Sequence, residues 1–211
     1  MSNGASARLN VLLEDAGLTP LSDKLGGRFE DYLALLLRWN ARVNLTAIRD
    51  EEGILSRHFV ESIACARTLP VGIGTLLDFG SGAGLPGIPI ALCRPEIAVT
   101  LAESQGKKAA FLQEAIRTLG ISVKVHAQRA ELLSESFDCV VMRAVDRMEL
   151  AIHSAARLVR TDGWLALMTT ISELGAVRAA AGGKFSWVEP VQFPGGMERV
   201  LSIGSLHGVG G

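Results

Sequence analysis

The sequence is poor in several things. Of its 211 residues only Cys65, Cys93 and Cys139 are cysteines, and none belongs to a CxxC pair. A disulfide framework or a zinc cluster is not expected from such spacing, and the thiols read as buried apolar groups in a reducing compartment. Neither charge is in excess: 21 Lys+Arg against 22 Asp+Glu leave a net charge of −1. That argues against a histone-like polyelectrolyte or a broadly basic nucleic-acid coat, while leaving room for a local basic face. No apolar run approaches the roughly 18 residues that a membrane span needs. The start, Met1 to Ser6, lacks a basic patch followed by an apolar core, so no signal peptide is read and the cytoplasm is the expected compartment. There is no internal repeat and no long low-complexity stretch. With 48% hydrophobic and 20% charged residues, disorder is not expected. The length fits one domain with a small appendage.

What is present changes character near Leu69-Pro70. Before it the pattern is helical. Leu25, Phe29, Leu33, Leu36 and Leu37 share one face, with Ser22 or Asp23 as cap. A second helix starts near Asp50, with Ile54, Leu55, Phe59 and Ile63 on one face. After Pro70 strands alternate with helices. Strands are expected at 74–79, 98–102, 121–125, 138–142, 164–168, 185–188 and 200–203. Helices are expected between Gly87 and Pro95, over 107–119 and over 150–159, with Thr161-Asp162-Gly163 as a turn. The expectation is an α/β fold: a mostly parallel seven-stranded sheet with helices on both faces. Residues 1–70 form an N-terminal helical extension and residues 71–211 the main domain. The tail, His207 to Gly211, reads as frayed.

The most informative stretch is Asp78-Phe79-Gly80-Ser81-Gly82-Ala83-Gly84-Leu85-Pro86-Gly87. Gly80, Gly82 and Gly84 form GxGxG, and Gly82, Gly84 and Gly87 form GxGxxG. Such a turn lets the backbone bend sharply and approach a ligand. Glu103, at the end of the second strand, suits the hydroxyls of a ribose. That geometry serves a nicotinamide dinucleotide and S-adenosylmethionine (AdoMet) alike. Charge separates them: a pyrophosphate needs helix-N-terminal amides and no anion nearby, whereas AdoMet carries an ammonium and a sulfonium. Asp78, just before the first glycine, favours AdoMet. Arg129-Ala130-Glu131 follows the third strand, where a polar residue reaches an adenine amino group; the same residues also fit a solvated loop. Arg143 closes the fourth strand at the sheet's carboxyl edge, as a site residue or as an ion-pair partner of Asp146 or Glu149.

These residues also carry a resemblance. The sequence resembles the bacterial small-subunit ribosomal RNA guanine-N7 methyltransferases, the glucose-inhibited division protein B family. It does so at Trp39-Asn40, Asn44 to Asp50, Arg57-His58 with Glu61-Ser62, Asp78 to Pro89, Glu103-Ser104 with Lys107-Lys108 and Phe111-Leu112, Arg129-Ala130-Glu131, and Arg143-Ala144. The resemblance implies a class I (Rossmann-like) AdoMet-dependent methyltransferase fold with AdoMet as methyl donor. It implies N7 of a guanosine in the 530 loop of 16S rRNA (position 527) as acceptor, in naked rRNA or an assembling small ribosomal subunit. By motif it places Gly80, Leu85, Glu103, Ser104, Gln105, Ala130, Glu131 and Arg143 against the cofactor. Asp78, Gly82 and Gly84 join them from the reading of the turn. The chain departs from the family where Ala166-Leu167-Met168-Thr169 replaces an Ala-Leu-Lys-Gly, removing a basic group expected on the substrate side. It departs again at Glu198-Arg199-Val200, where Glu-Arg-His is usual.

Guanine N7 has a free lone pair and no proton to lose. Its methylation needs no general base, so no catalytic acid–base residue and no metal are expected, and Arg143 reads as a positioning residue. For RNA contact the candidates are Asn44, Arg49, Arg57, Lys107 and Lys108, with Arg38 and Arg42 beside them. Trp39 continues the apolar face of its helix, Asn44 is expected to bond backbone, and His58 reads as a packing histidine. Two rivals stand beside this reading: an NAD(P)-dependent oxidoreductase using Gly82, Gly84 and Gly87, and a non-catalytic RNA-binding relative of a methyltransferase. No heptad or long apolar repeat marks an obligate dimer, so a monomer is expected.

Overall fold

Ser22 Oγ accepts a hydrogen bond from the Leu25 amide at 3.4 Å, and the helix it starts, α2 (Asp23–Asn40), is the one that the apolar spacing marks. The computed structural model describes residues 4–143, 148–195 and 198–207. In it α2 is preceded by a helix that sequence reading missed, α1 (Ala5–Asp15). Its buried residues Ala5, Leu9 and Leu13 recur every four positions, but Gly4 at its start offers no side-chain cap, so the start signal is absent. Asp50 caps the next segment by accepting from the Gly53 amide at 2.6 Å. That segment is α3 (Glu51–Gly53), a π-helical stretch Ile54–Phe59, and α4 (Val60–Thr68).

The elements that follow are β1 (Thr75–Phe79), α5 (Gly87–Cys93), β2 (Ala98–Ala102), α6 (Gly106–Leu119), β3 (Lys124–His126), a 3₁₀ turn Ala130–Leu132, β4 (Phe137–Arg143), α7 (Met148–Ala156), β5 (Val159–Thr170), α8 (Leu174–Ala181), β6 (Phe185–Trp187), β7 (Val191–Gln192) and β8 (Arg199–Leu206). The sheet order is β3-β2-β1-β4-β5-β8-β6, with β7 also on β8. Strands β1 to β5 pair in parallel, and β8 runs antiparallel between β5 and β6. The order in which successive strands are added reverses between β1 and β4, from β1-β2-β3 on one side to β4-β5 on the other, and there such sheets open a ligand crevice beyond their carboxyl ends.

Four expectations need correcting. The described sheet has eight strands and not seven, because Val191–Gln192, hidden between Pro190 and Pro194, bridges to β8. Strand β3 starts at Lys124 and not Ile121, because the Ile121 amide still caps α6 by bonding Ile116 O. Helix α7 ends at Ala156 and not Val159, and β5 begins at Val159. The Thr161–Gly163 turn falls inside β5: Val159 pairs with Phe137 and Trp164 with Cys139, so the residues between loop out. Ala144, Asp146 and residues 208–211 lie outside the described residues.

The helical extension does not sit apart. Tyr32, fully buried, stacks on Phe59 at 5.2 Å and lies 6.5 Å from Phe111 of α6. Trp39 meets Phe111 edge-on at 5.8 Å and donates its indole N–H to Glu114 at 3.1 Å. One continuous cluster holds Leu9, Phe29 and Phe59 together with Leu76, Ile88 and Phe111. The other face of the sheet is covered by α7 and α8, through Ile152, Ala155 and Val177.

Candidate active site

The turn after β1 is made by residues that only glycine supplies cheaply: Gly80, Gly82 and Gly84 have φ of +74°, +55° and +82°. A Cβ on Gly82 would meet only the Gly80 carbonyl, at 3.9 Å, so the turn shows bare backbone to open space. Gly87 answers a different need. A Cβ there would come within 2.6 Å of Asp78 Oδ2 and 2.3 Å of Leu101, so the head of α5 must lie against β1 and β2.

Asp78 lies under this turn and not in the cleft. Its Oδ2 accepts from the Gly87 amide at 3.0 Å, its carbonyl accepts from Ser81 Oγ at 2.9 Å, and it is 1% exposed. Burial pushes its carboxyl up to about 7, against the pull of the Gly87 amide and Ser81. Above the turn, Glu103 is held at both oxygens: Oε1 accepts from the Gln105 amide at 2.7 Å and Oε2 from the Gly82 amide at 2.9 Å. Each carboxylate oxygen has about two lone pairs, so one on each is left for a ligand hydroxyl.

These residues form one end of a cleft of about 1220 Å³. Gly80, Gly82, Leu85, Glu103, Ser104, Gln105, Lys108, Ala130, Glu131, Arg57 and Arg143 all line it. Asp78, Gly84, Asn44, Arg49 and Lys107 do not. The volume exceeds the roughly 300–1,000 Å³ of a single small-ligand site, so there is room for a nucleoside cofactor and for an acceptor beside it. The cofactor end fits AdoMet: a fixed carboxylate and bare glycine backbone, with the Gly87 amide at the head of α5 already taken by Asp78.

The opposite end joins Arg143 and Arg57, which sequence reading singled out, to Glu61, Arg199 and Glu173, which it left without a role. Glu61, 1% exposed on α4, accepts from Arg143 Nη2 at 2.9 Å, and its other oxygen lies 2.6 Å from Arg199 Nη2. Burial raises the Glu61 carboxyl, and Arg143, Arg199 and Arg57 pull it back down. Arg143 Nη2 also donates to the Arg57 carbonyl at 3.0 Å, so its partner is Glu61 and not Glu149. His58, presented by the π-helical stretch, sits 2.6 Å from Thr46 Oγ1. Burial first, then Arg143, Arg57 and Arg199, push its imidazole down to about 3, so it is neutral at ordinary pH. Thr169 and Thr170 both donate to Glu173 Oε2.

The 40–49 segment reaches the cleft through Leu45, Thr46, Ala47 and Ile48. The residue that bonds its backbone is Asn40 and not Asn44: Asn40 accepts from the Thr46 amide at 3.0 Å and donates to the Ile48 carbonyl at 3.1 Å. Asn44 accepts instead from Arg49 Nη2 at 2.8 Å. Arg38 is paired with Glu114 at 2.9 Å.

A mostly parallel sheet whose last strand, β8, runs antiparallel between β5 and β6, with this glycine turn after β1 and an acid just after β2, is the architecture of a class I AdoMet-dependent methyltransferase. The fold matches a methyltransferase from Pyrococcus furiosus with a TM-score of 0.60 at 15% identity, over 86% of this chain and 98% of that one. It matches a SAM-dependent methyltransferase from Aquifex aeolicus with a TM-score of 0.58 at 16% identity, over 73% and 93%. Within that class the chain belongs to the GidB family, rRNA small subunit methyltransferase G, which residues 27–195 match. A ribosomal RNA small subunit methyltransferase G from Roseiflexus sp. is 41% identical over 83% of this chain and 81% of its own. One from Xanthomonas euvesicatoria is 42% identical over 78% of each.

Proposed function

We propose that the protein transfers a methyl group from AdoMet to N7 of a guanosine in 16S rRNA, at position 527 in the 530 loop. The observation that carries the acceptor chemistry is the state of the titratable groups at the far end of the cleft. His58 is bonded to Thr46 and held neutral, Glu61 is locked between Arg143 and Arg199, and Glu173 takes two threonine hydroxyls. Neither His58 nor Glu61 is poised to take a proton, and N7 has none to give. AdoMet, when bound, supplies an electrophilic methyl group. The chain supplies alignment, which is worth roughly 7–11 kcal/mol of barrier for well-oriented reactants.

In this reading Gly80, Gly82 and Leu85 form the floor for the methionyl part. Glu103 takes the ribose, Ser104 and Gln105 close over it, and Ala130-Glu131 faces the adenine. Asp78 and Gly84 act from below by setting the turn. Arg143 positions the acceptor side, and Arg57 and Lys108 face the RNA at the cleft, with Asn44, Arg49 and Lys107 on its approach. A pyrophosphate cofactor is disfavoured because Asp78 already occupies the Gly87 amide, the donor at the head of α5 that such a group would take.

The partner is 16S rRNA, alone or in an assembling small subunit, and the protein acts in the cytoplasm as a monomer. Among the described residues no helix is long and apolar enough to cross a membrane. Incubation with labelled AdoMet and unmodified small subunits or 16S rRNA, followed by mapping of the product, tests the reading. One methyl group at N7 of the target guanosine is expected. Label on a small molecule but none on RNA would overturn it.

A further inference from the structure

The cofactor cleft is not the end of the open space. A second cavity of about 730 Å³ adjoins it, and the two share Arg57, Thr170 and Arg199 in their walls. Leu12 and Ala16 from the end of α1, Val60 of α4 and Pro194 give it apolar sides. Asp15 and Glu198 also line it, so an anion is repelled from parts of its wall and drawn to the shared arginines.

Arg199 and its neighbour Arg143 have hydrogen-bonding capacity to spare. Arg57, Arg143 and Arg199 face a single carboxylate, Glu61. Arg199 Nε and Arg143 Nη1 are buried and donate to nothing, although each guanidinium is fixed by Glu61 through another nitrogen. A buried donor without an acceptor costs free energy, which an incoming oxyanion offsets. A guanidinium held in place by one carboxylate is also preorganised to bind a second oxyanion without further ordering.

From this arrangement we propose that the second cavity holds the nucleotide adjoining the target guanosine, and that the phosphodiester between the two is bound where the cavities meet, by Arg57 and Arg199. The proposal rests on the rRNA reading above. It adds a binding site and assigns Arg199, on the last strand, to the substrate. The volume lies within the range of small-ligand sites, and the apolar wall suits the face of an unstacked base. Thr170 offers a hydroxyl at the same junction. Glu61 acts through the arginines as a positioning residue.

Steady-state methylation of 16S rRNA tests this with three RNAs: unmodified, and carrying a neutral methylphosphonate at the linkage immediately 5′ or immediately 3′ of the target. With the parent protein, one of the two modified RNAs should show a KM raised roughly 10- to 100-fold, the range for a charged hydrogen bond, with kcat kept. Arg199→Gln should raise KM by a similar factor on unmodified RNA and add nothing further on that modified RNA. Ala16→Trp, which fills the second cavity at a residue that does not line the cofactor cleft, should raise KM for RNA while AdoMet affinity by calorimetry stays unchanged. If Arg199→Gln does not fold, the Ala16→Trp result decides. The proposal is overturned if Ala16→Trp methylates with the parent's KM, or if the Arg199→Gln and methylphosphonate effects multiply. Absence of any rRNA methylation by the parent protein would instead sink the substrate assignment, independently of this site.

Discussion

Asp78 and His58 are both displaced by burial, in opposite senses, and their effects on stability oppose each other. The Asp78 carboxyl moves from 3.8 up to about 7. Between those values the folded chain keeps a proton that the unfolded chain releases, so stability falls as pH rises. The His58 imidazole moves from 6.5 down to about 3. There the folded chain refuses a proton that the unfolded chain takes up, so stability rises with pH. Each slope is about 1.4 kcal/mol per pH unit, and the two cancel between about pH 4 and pH 6.5. Denaturant melts across that range should therefore diverge from the parent's in opposite directions. Asp78→Asn should gain stability more steeply with rising pH, and His58→Gln should lose it; parallel curves would refute the assignment. Glu61→Ala should cost about 3–5 kcal/mol in a urea melt, the usual result of stranding buried partners, because Arg143 and Arg199 would both lose their carboxylate. At this scale the residues that line the cleft around the glycine turn were largely named in the sequence: Gly80, Gly82 and Glu103 by their spacing at strand ends, Leu85, Ser104 and Gln105 only by the family resemblance. Glu61 with Arg199 was not, since nothing local ties residues so distant in the chain. Nor does the sequence show that Arg38, half of an exposed ion pair, faces Glu114.

The glycine turn and helix α2 work as a pair of elements. The Tyr32 hydroxyl, buried in α2, donates to the Ala83 carbonyl at the crest of the turn. Tyr32→Phe should cost about 1 kcal/mol, the typical net value of one hydrogen bond, and should weaken AdoMet binding in calorimetry more than it lowers kcat. Gly87→Ala should cost about 1–3 kcal/mol as an overpacked core position, because its new methyl would press on Leu101 and Asp78. A thermal melt close to the parent's would contradict that contact. Element types were mostly readable, because the β1-to-β5 rhythm is carried by apolar strands between glycine and proline signals. The two misses have different local causes: α1 lacks a cap residue and β7 is hidden between prolines. The π-helical stretch Ile54–Phe59 has the ordinary apolar spacing of an α-helix, and its extra width shows only in the backbone.

For the whole molecule, a net charge of −1 is compatible with RNA binding only if the footprint is local. Arg57, Lys108, Arg143 and Arg199 do converge on one cleft. Three or four phosphate contacts at about −0.7 each give a log–log salt slope of roughly −2 to −3 for rRNA binding. A slope near −8 would mean a far larger contact surface than this cleft provides. Which cations converge was only partly readable beforehand, since the sequence shows how many there are but not how the sheet gathers them. The position of β8 has one more consequence, which concerns the order of assembly. This strand follows the other described strands along the chain, yet it lies inside the sheet between β5 and β6 and carries Arg199 to Glu61. Domains form from the amino end as the chain emerges, so the glycine turn and Glu103 can come together before β8 is available. The junction of Arg143, Glu61 and Arg199 cannot, and its closure waits for β8 to enter the sheet.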